Sequence, residues 1–291
     1  MDEAMRTESA DLACDIARLP EELLSALIAR GAPRDACRAG AVSQAFRAAA
    51  DSDAVWACFL PRDLPPLPDA DGVPAPPSKK ALFMRLCDTP VLLPDVLTSM
   101  WLDRETGAKC YMLSTRMLGI AWGDTPRYWR WIPITGSSFS EAAELLHVWW
   151  LEIRGKIDSR MLSRSSTYAA YIVFKVPPRS YGLAFPCQHA SIHLGGSTST
   201  CLVRLDGNGV DSDDEDEDPA AESPPVPEIP VRLPQERADG WMELEMGEFH
   251  NDQGEDGEVS ISLMETSAVK SGLVVQGIEI RPKKQTRASS A

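Results

Sequence analysis

The chain has 291 residues, 44% of them hydrophobic and 25% charged, with a formal net charge of −14. That length suits about two domains of ~100–200 residues each, and that balance suits packed globular structure. The negative charge argues against a general affinity for nucleic acid, and no run approaches the ~20 apolar residues of a membrane helix.

The opening "MDEAMRTESADLAC" is acidic and has no apolar stretch, so no secretory signal is expected and the protein is expected inside the cell. Residues 1–11 read as disordered. Helical text follows. Pro20 suits the start of a helix, Glu21 and Glu22 complement its dipole, and Leu23, Leu24, Leu27 and Ile28 fall on one face. Gly31 is a plausible stop. A second helix is predicted from about Pro33 to Gly40. A third covers "SQAFRAAA" with Ser43 as its cap, and a fourth covers "DAVWACFL" with Ser52 as its cap. Four short helices bury little apolar surface alone. With Leu27 and Phe46 closing so small a core, Leu19, Pro20, Leu23, Leu24 and Ile28 cannot all be inside it, which leaves apolar surface for a partner helix.

Residues 61–79 are rich in Pro and read as a linker. Beyond them the period becomes two. "AKCYMLST", "YWRWIPI", "WLEIRGKI", "YAAYIVFKV", "SIHLGG", "TCLVRLDG", "WMELEMGEF", "EVSISLME" and "LVVQGIEIRP" mostly alternate apolar and polar residues between Gly, Pro, Asn or Asp. This predicts an antiparallel β-sandwich of about nine strands over 108–282. "SFSEAAELLHVWW" breaks the alternation and is predicted to form a short helix capped by Ser140, with Leu145 and Leu146 inward. Residues 208–230 read as an acidic loop: "DSDDEDED" alone carries seven negative charges, leaving −7 for the rest. Residues 283–291 read as a disordered tail.

The seven cysteines are scattered, odd in number and never in C-x-x-C form. They predict neither a disulfide framework nor a zinc site, and most are expected to be small buried hydrophobes. His189 and His193 can share a strand face, but no third ligand at metal spacing accompanies them. No cofactor and no metal are expected. Nor is there a nucleophile–base arrangement or a phosphate loop. A glycosidase pair needs one carboxyl isolated in an apolar setting, which the acid-rich, Gly-rich "DQGEDGE" does not offer Glu255. The reading is non-enzymatic.

"AWGDTPRYWRWIP" concentrates Trp122, Tyr128, Trp129 and Trp131 around a polar turn. Flat rings bury the C–H face of a sugar, and ionised carboxylates accept from its hydroxyls. Trp129 and Trp131 share one side of a strand by parity, whereas Trp122 sits at a strand end beside Gly123 and Pro126. Trp131 is expected in the core.

Two resemblances extend this reading. Leu19-Pro20-Glu21, Cys37-Arg38, Val42-Ser43, Phe46-Arg47 and Trp56 stand in the order and spacing of an F-box, so residues 12–60 resemble that module. This implies docking to the Skp-type adaptor of a cullin (SCF) ubiquitin ligase, through Leu19, Pro20, Leu23, Leu24 and Ile28. Residues 80–282 are similar to the phloem protein 2 family, which includes the tobacco agglutinin (Nictaba-type) lectins. The blocks "KCYMLSTRMLGIAWGDTPRYWRWIPI", "EAAELLHVWWLEIRGKI", "SYGLAF", "RADGWMELEMGEFHNDQGEDGEV" and "SGLVVQGIEIRP" carry that likeness. The combination resembles the plant F-box branch of that family. It implies an α+β multidomain chain: a small all-α F-box domain, then an antiparallel, jelly-roll-like lectin sandwich. It also implies binding of N-acetylglucosamine oligomers or N-glycan cores by Trp122, Trp129, Glu248 and Glu255, with Asp124 and Tyr128 as neighbours. The implied location is cytoplasm and nucleus, although "DSDDEDED" stands where such lectins often carry a basic run. Two alternatives stay open: a stand-alone stress lectin with no ligase role, and a receptor for a protein surface.

Overall fold

A computed structural model describes residues 19–64, 76–207, 230–254 and 257–283. The expected disordered N-terminus, residues 65–75 of the expected linker, residues 208–229 of the expected acidic loop (208–230), Glu255 and the tail beyond Lys283 lie outside the described residues. Two compact units are present.

The first unit holds four short helices, α1 (Glu21–Ile28), α2 (Pro33–Ala39), α3 (Gln44–Asp51) and α4 (Asp53–Phe59), with the start of α5 (Lys79–Asp88). Ser43 caps α3 as its sequence predicts, its Oγ accepting from Phe46 N at 3.3 Å. Ser52 makes no side-chain cap bond; its hydroxyl lies 3.3 Å from Ser25 Oγ, linking α4 to α1. The core forms around Trp56, which is fully buried and donates its indole N–H to Ala50 O at 2.7 Å. Phe83 of α5 packs against that ring at 5.1 Å between centroids. The sequence reading assigns no element to 79–88 and begins the second module at 80; that boundary falls inside α5, which sits with the first unit as far as Arg85.

The closure of this core corrects one expectation. Leu27 is 49% exposed and Phe46 only half-buried, so they do not seal the unit. Leu24 and Ile28 do, together with Trp56 and Phe83. Adjacent helical positions lie ~100° apart, so an apolar stripe four residues wide spans more than a small core accepts. One half, Leu24 and Ile28, turns inward; the other, Leu23 and Leu27, faces out.

The second unit is built of two sheets. The larger has the order β1-β2-β3-β15-β8-β13-β12, with a β5–β6 hairpin attached through β6 to β15. Its strands are β1 (Val91–Leu92), β2 (Thr98–Leu102), β3 (Lys109–Ser114), β5 (Trp129–Pro133), β6 (Glu141–Leu145), β8 (Ser166–Lys175), β12 (Gln235–Glu236), β13 (Met242–Asn251) and β15 (Val274–Pro282). The smaller has the order β11-β10-β9-β14-β7-β4, from β4 (Gly119–Ile120), β7 (Leu151–Asp158), β9 (Gln188–Leu194), β10 (Ser197–Val203), β11 (Val231–Arg232) and β14 (Glu258–Glu265). All pairings are antiparallel except β10 with β11.

The sheets face each other. A side chain added at Gly155 of β7 would meet Ile278 of β15 at 3.0 Å, and one at Gly247 of β13 would meet Ile192 of β9 at 3.1 Å. Gly247 also occupies φ +150° at a bulge, a conformation open to glycine. The inner residues of β7, β9 and β14 (Leu151, Ile153, Ile157, Ala190, Ile192, Val259, Ile261, Leu263) are buried, and their neighbours point to solvent. Alternation read from sequence therefore marks the inner face of the smaller sheet correctly.

Two strand expectations change. The segment predicted as a helix after Ser140 is β6, with Ala142 and Ala143 fully buried between β5 and β15. Ala and Glu are good helix formers, but intrinsic propensity is a weak prior, and strand pairing on both sides of β6 overrides it. Thirteen strands stand among the described residues of 108–282 where about nine were expected; the additional four are the two-residue strands β4, β11 and β12 and the segment expected as a helix, β6. The cysteines differ too: of the six described, Cys110 alone is buried, and Cys37 and Cys58 are exposed.

Candidate functional site

β4 is an edge strand of the smaller sheet, paired with β7 through Gly119–Arg154 and Ile120–Ile153. The pairing continues one step, Ala121 N donating to Glu152 O at 2.9 Å. The chain then turns sharply: Gly123 N bonds Ile120 O at 3.0 Å and Thr125 N bonds Trp122 O at 2.9 Å. At the turn Trp122 takes φ +61°, the left-handed region that a bulky side chain rarely adopts. The ring is 59% exposed and lies 6.3 Å from the half-buried Tyr128 ring, tilted by 58°. Strain of this kind persists where the surroundings over-determine it. Here the turn bonds and the strand pairing hold the ring in solvent. Asp124 is exposed beside it.

Trp129 is different. It is 2% exposed, and its indole N–H donates to Ala121 O at 3.1 Å. Its ring offers no face to a ligand; it holds the backbone immediately before Trp122. Trp131, expected in the core, is half-buried with the Arg116 guanidinium 3.6 Å from its ring centroid.

The carboxylates are placed elsewhere. Glu248 is on β13 opposite Ala169 of β8, which is opposite Arg281 of β15. Its half-exposed side chain is 3.5 Å from Lys283 Nζ. Tyr128, by contrast, lies beside Leu146, just beyond the start of β15, where Leu145 N bonds Leu273 O. Eight residues of β15 separate the two levels, roughly 25 Å at ~3.3 Å per residue. The structure therefore does not bring Glu248 to Trp122, and Glu255 is outside the described residues.

Sequence reasoning passed over a second group of exposed rings. Trp149 is 60% and Trp150 50% exposed, on the segment that leads into β7. Trp150 Nε1 donates to Glu152 Oε2 at 2.9 Å, and Glu152 also pairs with Arg154. The Trp149 carbonyl accepts from Lys270 Nζ at 3.1 Å. Lys270 is fully buried and ion-paired with buried Glu265. Burial alone would raise the Glu265 carboxyl, but hydrogen bonds from Lys270 and Ser267 hold it below the ordinary range. The signal in the sequence was "VWWLE": adjacent tryptophans at a strand start cannot both point inward.

On the helical unit, Leu23 is 52% and Val42 69% exposed. Pro20 is exposed and Leu19 half-buried, while Leu24 and Ile28 belong to the core. The expected adaptor face is thus divided. His189 and His193 both point outward from β9, as parity predicts.

Residues 108–282 match the family model for phloem protein 2. The chain belongs to the phloem protein 2 family. Its relatives in Arabidopsis thaliana place it in the F-box type of that family. F-box protein PP2-B10 is 40% identical over 273 residues, covering 91% of this chain and 93% of the relative. Putative F-box protein PP2-B2 is 41% identical over 270 residues, covering 91% and 83%. F-box protein PP2-B1 is 37% identical over 304 residues, covering 91% and 89%. Among solved structures, TmCBM61 in complex with β-1,4-galactotriose aligns over 58% of this chain and 91% of its own, at 9% identity and a TM-score of 0.30, too low to carry any argument.

Proposed function

We propose that this phloem protein 2 family member is a substrate-recognition subunit of an SCF-type ubiquitin ligase. The F-box unit docks the Skp-type adaptor, and the sandwich binds glycans or glycoproteins containing N-acetylglucosamine. The observation that carries the reading is an apolar face of α1, Leu23 and Leu27 with Pro20 before them, that remains exposed although Leu24, Ile28, Trp56 and Phe83 already close a core. A face of that kind beside a satisfied core suits a partner helix. The exposed Trp122 on the sandwich supplies the complementary feature, a plate for a sugar C–H face.

In this reading the chain performs no bond chemistry. It tethers: the target is held near the ubiquitin-transfer machinery, and proximity raises its effective concentration. The cytoplasm and nucleus are the compartments in which such a ligase subunit acts.

Co-purification with a Skp-type adaptor tests the first half. Leu23→Ala with Leu27→Ala abolishes the complex while the helical unit stays folded; an unaffected complex contradicts the docking face. A glycan array tests the second half. The wild type binds N-acetylglucosamine oligomers or N-glycan cores. Absence of all glycan binding by a folded wild type favours recognition of a protein surface.

A further inference from the structure

We infer that the sugar-contacting surface of the sandwich is the outer edge of the smaller sheet, where Trp150 and Trp122 flank Glu152. This rests on the glycan-binding reading above and specifies its site.

Glu152 and Arg154 point outward from β7, and parity places Trp150, two residues before Glu152, on the same face. Its hydrogen bond to Glu152 agrees with that placement. Across the ladder, Ala121 lies beside Glu152 on one side and Met264 of β14, 39% exposed, on the other. Trp122 follows Ala121 directly. The turn that carries the Trp122 indole thus begins on the backbone beside Glu152, whose carboxylate is already bonded to the Trp150 indole on its own strand.

The surface is held in place from behind. The Ala121 N–H is fixed by Glu152 O and its carbonyl by the buried Trp129 indole, so the turn that lifts Trp122 cannot drift. The Trp149 carbonyl is fixed by buried Lys270. Exposed rings on anchored backbone lose little freedom on binding, which favours affinity.

The chemistry fits a neutral saccharide chain. Glu152 is already oriented by Trp150 and Arg154, and the carboxylate–guanidinium pair leaves the patch without net charge. A hydroxyl both donates and accepts: the 62% exposed Arg154 side chain offers it a donor, and the remaining lone pairs of Glu152, 14% exposed and already paired through both oxygens, offer an acceptor at the base of the patch. The flanking indoles bury the C–H faces of successive rings. An anionic ligand would gain nothing from the paired charges.

The test is a titration of the full chain with an N-acetylglucosamine trimer, followed by indole fluorescence, on wild type, Trp150→Ala, Glu152→Gln and Glu248→Gln. Trp150→Ala and Glu152→Gln each lower affinity at least ~tenfold, the scale of a central aromatic or charged contact. Glu248→Gln changes it less than about twofold by the same measure. Thermal melts establish that each variant is folded, and Trp150→Phe, which keeps a plate, retains partial affinity. Wild-type binding that survives in folded Trp150→Ala and Glu152→Gln overturns this site and leaves the glycan reading intact. Loss of binding in Glu248→Gln alone also overturns it. A folded wild type that binds no glycan overturns both.

Discussion

Trp122 and Trp129 are seven positions apart and have opposite fates. The first is forced into solvent by a left-handed turn, while the second is buried and spends its one donor on the turn's own backbone. Trp129→Phe keeps most of the buried ring and loses that hydrogen bond. It is expected to cost about 1–2 kcal/mol in denaturant unfolding, from one unmade bond and a partly filled cavity. An unchanged midpoint would show that the Ala121 contact contributes nothing. Lys270 is the other decisive residue. Removing one member of a buried ion pair leaves the other uncompensated, so Lys270→Met alone is expected to destabilise by about 3–5 kcal/mol, with recovery when Glu265→Leu is added. Equal destabilisation by single and double variants would contradict the pairing. The Glu265 and Glu243 carboxyls are both held below the ordinary range; burial alone would raise each, but Lys270 and Ser267 hold down the first and Arg281 and Arg237 the second. Their folded values lie under the unfolded ones, so this stability is present above the ordinary carboxylate range and is lost as pH falls through the depressed values. Melting temperature is therefore expected to fall as pH drops below ~4.5, and to fall less in Glu265→Gln. A melting temperature flat down to strongly acidic pH would contradict it.

At the scale of elements, α1 shows how a correct pattern yields an incomplete answer. The stripe Leu23, Leu24, Leu27 and Ile28 was legible, but which half it buries depends on Trp56 and Phe83, contributed by helices more than twenty residues away. Leu24→Ala is expected to cost about 2–5 kcal/mol and Leu23→Ala about 0.5 kcal/mol or less, although only the second belongs to the proposed adaptor face. Thermal melts of the two variants separate these outcomes, and equal losses would contradict the division. Strands were legible wherever one face meets solvent, as in β7, β9 and β14. β6 was not legible, because Ala142 and Ala143 are buried between partners on both sides and carry no alternation. The exposed pair before β7 was passed over for a related reason: a tryptophan reads as core until its backbone is placed. The carboxylate site was the least legible part. Its pairing of Trp122 with Glu248 depended on strand ends that only the sheet order could locate.

For the whole molecule, two compact units each leave apolar side chains exposed. The helical unit keeps an apolar face outside a closed core, and the sandwich keeps indoles outside a closed core. Neither exposure serves its own unit's packing. Both are accounted for by tethering, in which one surface holds the ligase and the other holds the target. The most direct measurement is a three-component capture: resin bearing N-acetylglucosamine oligomers, the full chain, and a purified Skp-type adaptor. The account predicts that the adaptor stays on the resin only when the chain is present, that free oligomer elutes both together, and that Leu23→Ala with Leu27→Ala releases the adaptor alone. An adaptor that never remains on chain-loaded resin, or a chain that does not bind the resin at all, would contradict it.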